Sequence, residues 1–221
     1  MKTMTDDGRP VSAAHDDFTR LIADFSDTTD AAEQERKRQG IWERFGTEGA
    51  VFISDMANFS VTSRMRGVCH FLKMIHRTRE AVAPVVADNN GTVLKCEADN
   101  CYAFFEKPGD ALRAAFDINS ELFRRNQLTP LEEHIYLSIG IDWGRVLLIG
   151  DEDYFGDPVN TASKLGEDLA SKAEILITDR ALAQTSFKVH DNAERMVARV
   201  SDIEINYVRL TMAEPTVTDQ G

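Results

Sequence analysis

From Gly49 onward, short apolar runs alternate with longer amphipathic ones, the pattern of strands separated by helices. Ala50-Val51-Phe52-Ile53-Ser54 is a nearly continuous apolar run closed by Asp55, as expected of a buried strand. A helical region is predicted from about Phe59 to Val86, and Asn89-Asn90-Gly91 marks a turn after it. Two strands follow, Thr92 to Glu97 and Cys101 to Phe105, joined through Ala98-Asp99-Asn100 so that Asp99 lies near a hairpin tip. Asp110 is expected to cap a helix whose Leu112, Ala115, Phe116, Ile118 and Leu122 share one face. A strand from Ile135 to Ile141 continues past Trp143-Gly144 into Arg145 to Ile149. The predicted order is β-α-β-β-α-β, the ferredoxin-like arrangement of an α+β domain. Beyond it, Asp157 to Leu169 reads as a helix, and Glu174 to Thr178 and Asn206 to Met212 as late strands.

Upstream the pattern differs. Residues 1 to about 12 are polar and aperiodic, the composition of a loose terminus. Ala13 to Phe25 carries Phe18, Leu21, Ile22 and Phe25 on one helical stripe. Asp30 to Phe45 is a second helix, polar until Ile41, Trp42 and Phe45, which suits either a solvated helix docking by its last turn or a dimerisation or partner-binding helix. The expected organisation is an N-terminal extension over 1–48, one domain over 49–212 and a tail over 213–221.

Composition narrows the partners. A chain of 221 residues, 43% hydrophobic and 28% charged, suffices for one globular core with an appendage. Its net charge of −12 disfavours a nucleic acid polymer, whose phosphates require a concentrated Lys/Arg surface. Cys69, Cys96 and Cys101 form no CxxC pair, and no secretory leader pattern opens the chain, so a reducing cytoplasmic setting is expected. No apolar run is long enough for direct membrane insertion.

The candidate chemistry rests on carboxylates. Asp55 ends a strand and Asp99 sits at the neighbouring hairpin, and strand ends of one sheet can converge. Such a rim suits magnesium, a hard cation that takes oxygen ligands and is often completed by substrate phosphates. Two ions held there could stabilise the attacking and leaving oxygens of an in-line displacement at phosphorus. Asp at a strand end or turn is also a common turn former, and composition alone does not separate the two readings. Other chemistries lack their residues. Asp151-Glu152-Asp153-Tyr154-Phe155-Gly156 begins like a calcium loop, but Phe155 stands at a ligand position and Ala162 where the bidentate Glu belongs. There is no HExxH, GxSxG or Walker-type loop.

The motifs in their order resemble the class III adenylate and guanylate cyclases, over about Gly49 to Met212. Phe52-Ile53-Ser54-Asp55-Met56-Ala57-Asn58-Phe59-Ser60 is similar to that family's strand-Asp-turn block. The resemblance implies that Asp55 holds both metals and that Met56, Asn58 and Phe59 offer backbone groups to metal and triphosphate. Gly91 to Asp99 is similar to the block with a base-recognising Lys four residues before the second metal Asp, here Lys95 and Asp99; Ala98 stands where the family usually has Gly. Gly144-Arg145-Val146 and Asp153 to Leu165 supply the remainder. By position Arg145 contacts triphosphate, Asp153 reads the base, Asn160 orients the ribose and Lys164 stabilises charge on the α-phosphate.

The implied cofactors are Mg²⁺ or Mn²⁺, two per site, and the implied assembly is a homodimer with its sites at the interface. Asn160 and Lys164, four apart on a helix, share a face. Lys is a donor and ionised Asp an acceptor, so Lys95 and Asp153 together suit adenine's ring nitrogen and exocyclic amine, and ATP is favoured over GTP. Two departures from the family pattern point to slow turnover. Lys164 stands where most active members carry Arg, and Val200-Ser201 aligns with a phosphate-binding Lys-Gly turn, with Arg199 on the opposite face of an extended segment. A cyclase-shaped regulatory or nucleotide-binding module without turnover, and a pyrimidine cyclase of antiviral signalling, remain alternatives.

Overall fold

The computed structural model describes residues 12–57, 66–187, 193–200 and 203–211. Helix α1 (Ala13–Ser26) starts at Ser12, whose hydroxyl accepts from His15 N–H, and α2 (Ala31–Phe45) starts at Asp30, whose carboxylate accepts from Glu33 N–H. Such caps are worth about 1 kcal/mol each. Strand β1 (Gly46–Met56) follows α2 without a linker. Then come α3 (Val68–Asp88), the hairpin β2 (Gly91–Glu97) and β3 (Asn100–Phe105), α4 (Pro108–Asn126) and β4 (Leu137–Ile149). The chain continues through β5 (Asp153–Phe155), α5 (Asp157–Ser163), a π-helical turn (Lys164–Leu169), β6 (Glu174–Thr178), the short α6 (Asp179–Leu182), β7 (Glu194–Val200) and β8 (Ile203–Thr211).

The sheet order is β2-β3-β1-β4-β6-β8-β7, with β5 paired to β4. Its first four strands are the ferredoxin-like set, antiparallel throughout, and β6 extends it parallel to β4. The α+β architecture expected from the sequence is therefore present. Three local expectations change. Asp110 does not cap α4, because Pro108, whose missing N–H is not needed there, occupies the first turn and Asp110 follows it. The helix predicted over 157–169 breaks after Ser163 into the π turn. Strands β5 and β7 are additional to the expected strands: β5 has three residues, and β7 turns Met196, Ala198 and Val200 onto the core.

Alternation along β1 divides the core. Ala50, Phe52 and Met56 pack with Met74, Val82, Leu112 and Ile118 beneath α3 and α4, while Val51 and Ile53 face the other way, onto Tyr154 and Ala162. Asp55 shares the parity of Val51 and Ile53 and so belongs to this second face. Helix α2 docks by its last turn, with Ile41 and Phe45 buried against Ile149 together with Phe18 and Leu21 of α1.

Candidate active site

Asp55 is the penultimate residue of β1, opposite Ser138 of β4. Asp99 is the second residue of the two-residue turn between β2 and β3, which places its carboxyl against that of Asp55. The turn requires a left-handed residue at Ala98, with φ of 48°, a conformation that favours Gly. Ala98, which stands where the resembling family usually has Gly, therefore holds a conformation strained for a residue with a Cβ. Burial, then the Asp99 charge and hydrogen bond, push the Asp55 carboxyl up to about 7, and Glu167 adds to the repulsion. Burial likewise holds Asp99 above the ordinary carboxylate range. The Met56 main chain hydrogen-bonds the Asp55 carboxylate. Two carboxyls pressed together suit a divalent cation, which takes the place of their shared proton, removes the repulsion and uses their oxygens.

Lys95 reaches the same face through a bulge. The β2–β3 register shifts between Val93 and Lys95, so Leu94 and Lys95 both lie on the side opposite to Val93. Strict alternation would have sent Lys95 beneath α3. Instead its Nζ lies 3.2 Å from each oxygen of Asp153, 3.2 Å from Glu97 Oε1 and 5.1 Å from the centre of the Tyr102 ring. Burial disfavours the ammonium, but the Asp153 and Glu97 carboxylates outweigh it and hold Lys95 above its ordinary value. Asp153 is fixed in turn. Its Oδ1 accepts from Tyr154 N–H at 2.8 Å, and the buried Tyr154 hydroxyl donates to Phe52 O at 3.2 Å, tying β5 to β1.

Asn160 lies on α5, exposed, and Lys164 opens the π turn, half-buried. Lys164 N–H donates to Asn160 O, so the two remain one helical turn apart. The π turn lies almost directly on the sheet. A Cβ on Gly140 would stand 2.1 Å from Ala162 O, and one on Gly166 3.0 Å from Ile53 O. Arg145 is exposed on β4, its guanidinium 4.7 Å from the Trp42 ring centre. It pairs with Glu48, whereas Asp55 pairs with Ser138; those seven positions amount to about 23 Å along the strand. The chain therefore brings together Asp55 with Asp99 and Lys95 with Asp153, and leaves Arg145 apart from the acidic pair. Asn58 and Phe59 lie outside the described residues, as does Ser201. Val200 packs on the cluster of Leu165, Leu176, Ile205 and Tyr207, and Arg199 takes the opposite face.

No protein-family model matches the chain. Over 131 residues it is 28% identical to putative adenylate cyclase 3 of Rhizobium meliloti (strain 1021), a stretch covering 59% of this chain and 22% of that relative's length. The crystal structure of an adenylate/guanylate cyclase/hydrolase from Silicibacter pomeroyi matches with a TM-score of 0.64 at 27% identity, over 76% of this chain and 99% of that one. The chain folds as a class III nucleotidyl cyclase domain. The guanylate cyclase domain of RhGC from Catenaria anguillulae, solved in complex with GTP, shares the cyclase fold with a TM-score of 0.63 at 18% identity, over 76% of this chain and 99% of that one.

Sequence reasoning missed two residues beside the candidate site and a third at the junction of β4 and β6. Tyr102 lies under Lys95 because the bulge puts the two opposite each other. Glu167 faces Asp55 and accepts from Asn100 Nδ2 at 3.1 Å. Both depend on strand register or helix packing, and no local motif announces them. Asp142, fully buried, accepts from Thr178 Oγ1 at 2.5 Å and from Arg180 Nε at 2.7 Å, joining β4 to β6 and α6. Among the described residues, no helix is long and apolar enough to cross a membrane.

Proposed function

We propose that this cyclase domain closes a nucleoside triphosphate, ATP in preference to GTP, into its 3′,5′-cyclic monophosphate with release of pyrophosphate, at sites shared between two copies of the chain. The observation that carries the reading is the presence on one sheet face of two charged pairs of opposite purpose. Asp55 with Asp99 offers only acceptors, and Lys95 with Asp153 offers one donor and one acceptor.

Asp55 and Asp99, with the Met56 main chain beside them, would hold two Mg²⁺ or Mn²⁺ ions. Bound there, the metals supply charge stabilisation at the attacking and leaving oxygens. Lys95 donates to the adenine ring nitrogen, and Asp153 accepts from the exocyclic amine. Their ion pair keeps both side chains extended toward the same spot before the base arrives. In the reaction the ribose 3′ oxygen bonds to the α-phosphorus as the bond from that phosphorus to the α,β-bridging oxygen breaks, and the hydroxyl proton ends on the departing pyrophosphate. Asn160 orients the ribose, and Lys164 donates to the α-phosphate oxygens as their charge develops. Asn160 and Lys164 serve the site whose carboxylates belong to the second copy, so a two-fold dimer completes two equivalent sites.

Incubation with each of the four nucleoside triphosphates and Mn²⁺ or Mg²⁺, with products identified by mass, tests the reaction. Cyclic AMP as the main product is expected; a cyclic pyrimidine nucleotide would replace the base assignment. Mixing Asp55→Ala and Asn160→Ala chains tests the shared site, because each heterodimer regains one intact site and with it activity. Confirmed heterodimers that stay inactive refute the sharing. The presence of Lys at 164 favours one second reading, a nucleotide-binding module without turnover, and saturable ATP binding with no product under either metal would establish it.

A further inference from the structure

Two of the three cysteines face each other across the hairpin that carries Asp99. Cys96 and Cys101 are directly opposed in the antiparallel ladder, one pair inward from Glu97 and Asn100, which flank the turn. Residues flanking a two-residue turn form a hydrogen-bonded pair. Alternation makes the next pair non-hydrogen-bonded, with Cα atoms about 4.5 Å apart. That separation lies within the range a disulfide spans without backbone movement. The two Sγ atoms are 2.6 Å apart. They lie on the face toward α3, opposite to Lys95 and Asp55, so a bond between them displaces neither candidate ligand pair.

The cysteines differ in access. Cys101 is 1% exposed, within the core, whereas Cys96 is only half-buried. Arg79 Nη2 donates to Cys96 O at 2.9 Å. Contact with the Cys101 thiol, aided by the Arg79 charge, draws the Cys96 thiol below its ordinary value against the effect of burial.

We propose that Cys96 and Cys101 are a reversible redox pair whose disulfide clamps the Asp99 hairpin, with a small disulfide such as oxidised glutathione as the oxidant. The Cys96 thiolate attacks one sulfur of the oxidant and expels one thiolate. Cys101 then attacks the Cys96 sulfur of the mixed disulfide, and its proton passes to the second thiolate as it leaves. Two protein thiols are oxidised, one small disulfide is reduced to two thiols, and the two protons end on those thiols. The new bond closes a ring around Glu97, Ala98, Asp99 and Asn100. It thereby restrains a turn that Ala98 holds under strain. Its consequence for metal rests on the proposed function: a pre-ordered Asp99 tightens Mn²⁺ binding by about fivefold, the scale of ordering a single residue.

The full chain carrying Cys69→Ser, which leaves only the two hairpin thiols, is equilibrated in glutathione buffers from fully reduced to fully oxidised and trapped with maleimide. Intact mass should show a species that has lost two hydrogens and takes up no maleimide, with Cys96 joined to Cys101 in the peptide map and reversal by dithiothreitol. Two maleimides at every glutathione ratio, or a mixed glutathione adduct on Cys96 that never resolves, overturns the pair. Free Mn²⁺ is then titrated by electron paramagnetic resonance against the oxidised and reduced forms without nucleotide. Equal or weaker binding by the oxidised form overturns the clamp. Failure of both forms to bind Mn²⁺ removes the Asp55–Asp99 metal reading and the clamp's consequence with it, while the bond, measured by mass, stands or falls by itself.

Discussion

Replacing Asp55 with asparagine isolates the electrostatic cost of the acidic pair, because the substitution keeps the side-chain shape and removes the charge. The Asp55 carboxyl rises from 3.8 to about 7 between an ordinary setting and the fold. At about 1.4 kcal/mol per unit this is about 4 kcal/mol, and the solvent side of the site reduces it to about 2 kcal/mol. The sign follows from proton uptake. Between these two values the folded protein binds more protons than the unfolded chain, so this contribution is fully present below about pH 4 and is lost as pH rises toward 7. Asp55→Asn should therefore melt about 4–8 °C above wild type at pH 8 in chelator, and the gap should close by pH 4–5. Added Mn²⁺ should reverse the order, raising the wild-type midpoint and leaving the variant unmoved, since only a ligand that binds the folded state stabilises it. Calorimetry of both proteins at the two pH values, with and without metal, gives the eight midpoints needed. An asparagine variant less stable than wild type at pH 8 without metal, with an unchanged pH slope, would refute the repulsion. An equal metal response in both proteins would refute the site.

Lys164→Arg should raise kcat about tenfold with substrate affinity little changed, since a guanidinium fork can bond two α-phosphate oxygens where an ammonium bonds one, and about 1.4 kcal/mol is reasonable for one improved charge-assisted contact. Lys164→Ala should lower it by at least as much; steady-state kinetics on both decide whether Lys164 touches the reacting phosphate. Ala98→Gly should stabilise the fold by about 0.5–1 kcal/mol, the strain of a left-handed Ala less the added freedom of the unfolded chain, and denaturant midpoints measure it. Gly140→Ala should cost more than about 3 kcal/mol, because the new methyl would meet the Ala162 carbonyl at 2.1 Å, and soluble yield together with thermal unfolding tests this.

What could be read in advance depended on whether each feature is written locally. The β1 run, the Asn-Asn-Gly turn and the α4 stripe carry their own periodicity, and they suffice to order the ferredoxin-like half. Asp99 at a hairpin tip was legible because turn residues mark it. The bulge that re-aims Lys95 was not, since a bulge exists only relative to the partner strand, and nothing in Gly91 to Glu97 says where Tyr102 will sit. The π turn was hidden for a related reason. Asp157 to Leu169 has helical composition throughout, and the close approach of Gly140 to Gly166 from across the molecule accompanies the change of winding. Strand β5 has three residues and owes its position to pairing with β4 and to the Tyr154 hydroxyl. The buried Asp142 with Arg180 needed two strands to be brought together before either residue had a partner.

Helix α2 ends at Phe45 and β1 begins at Gly46, and the join has no room for a side chain, for a Cβ on Gly46 would stand 2.2 Å from Trp42 O. Mechanically this is a rod with no slack. A loop would absorb a small roll of the helix, whereas here Phe45 is seated on Ile149 while the next residue is already locked into the ladder with Leu147. Asp55 lies nine residues along that strand, about 30 Å away. The Arg145 guanidinium on Trp42 and the Phe18 ring stacked 5.5 Å from Phe155 hold the same helical pair from the side of β4 and β5. The helical pair α1–α2 is thus joined both to the strand that carries Asp55 and to the one that begins at Asp153.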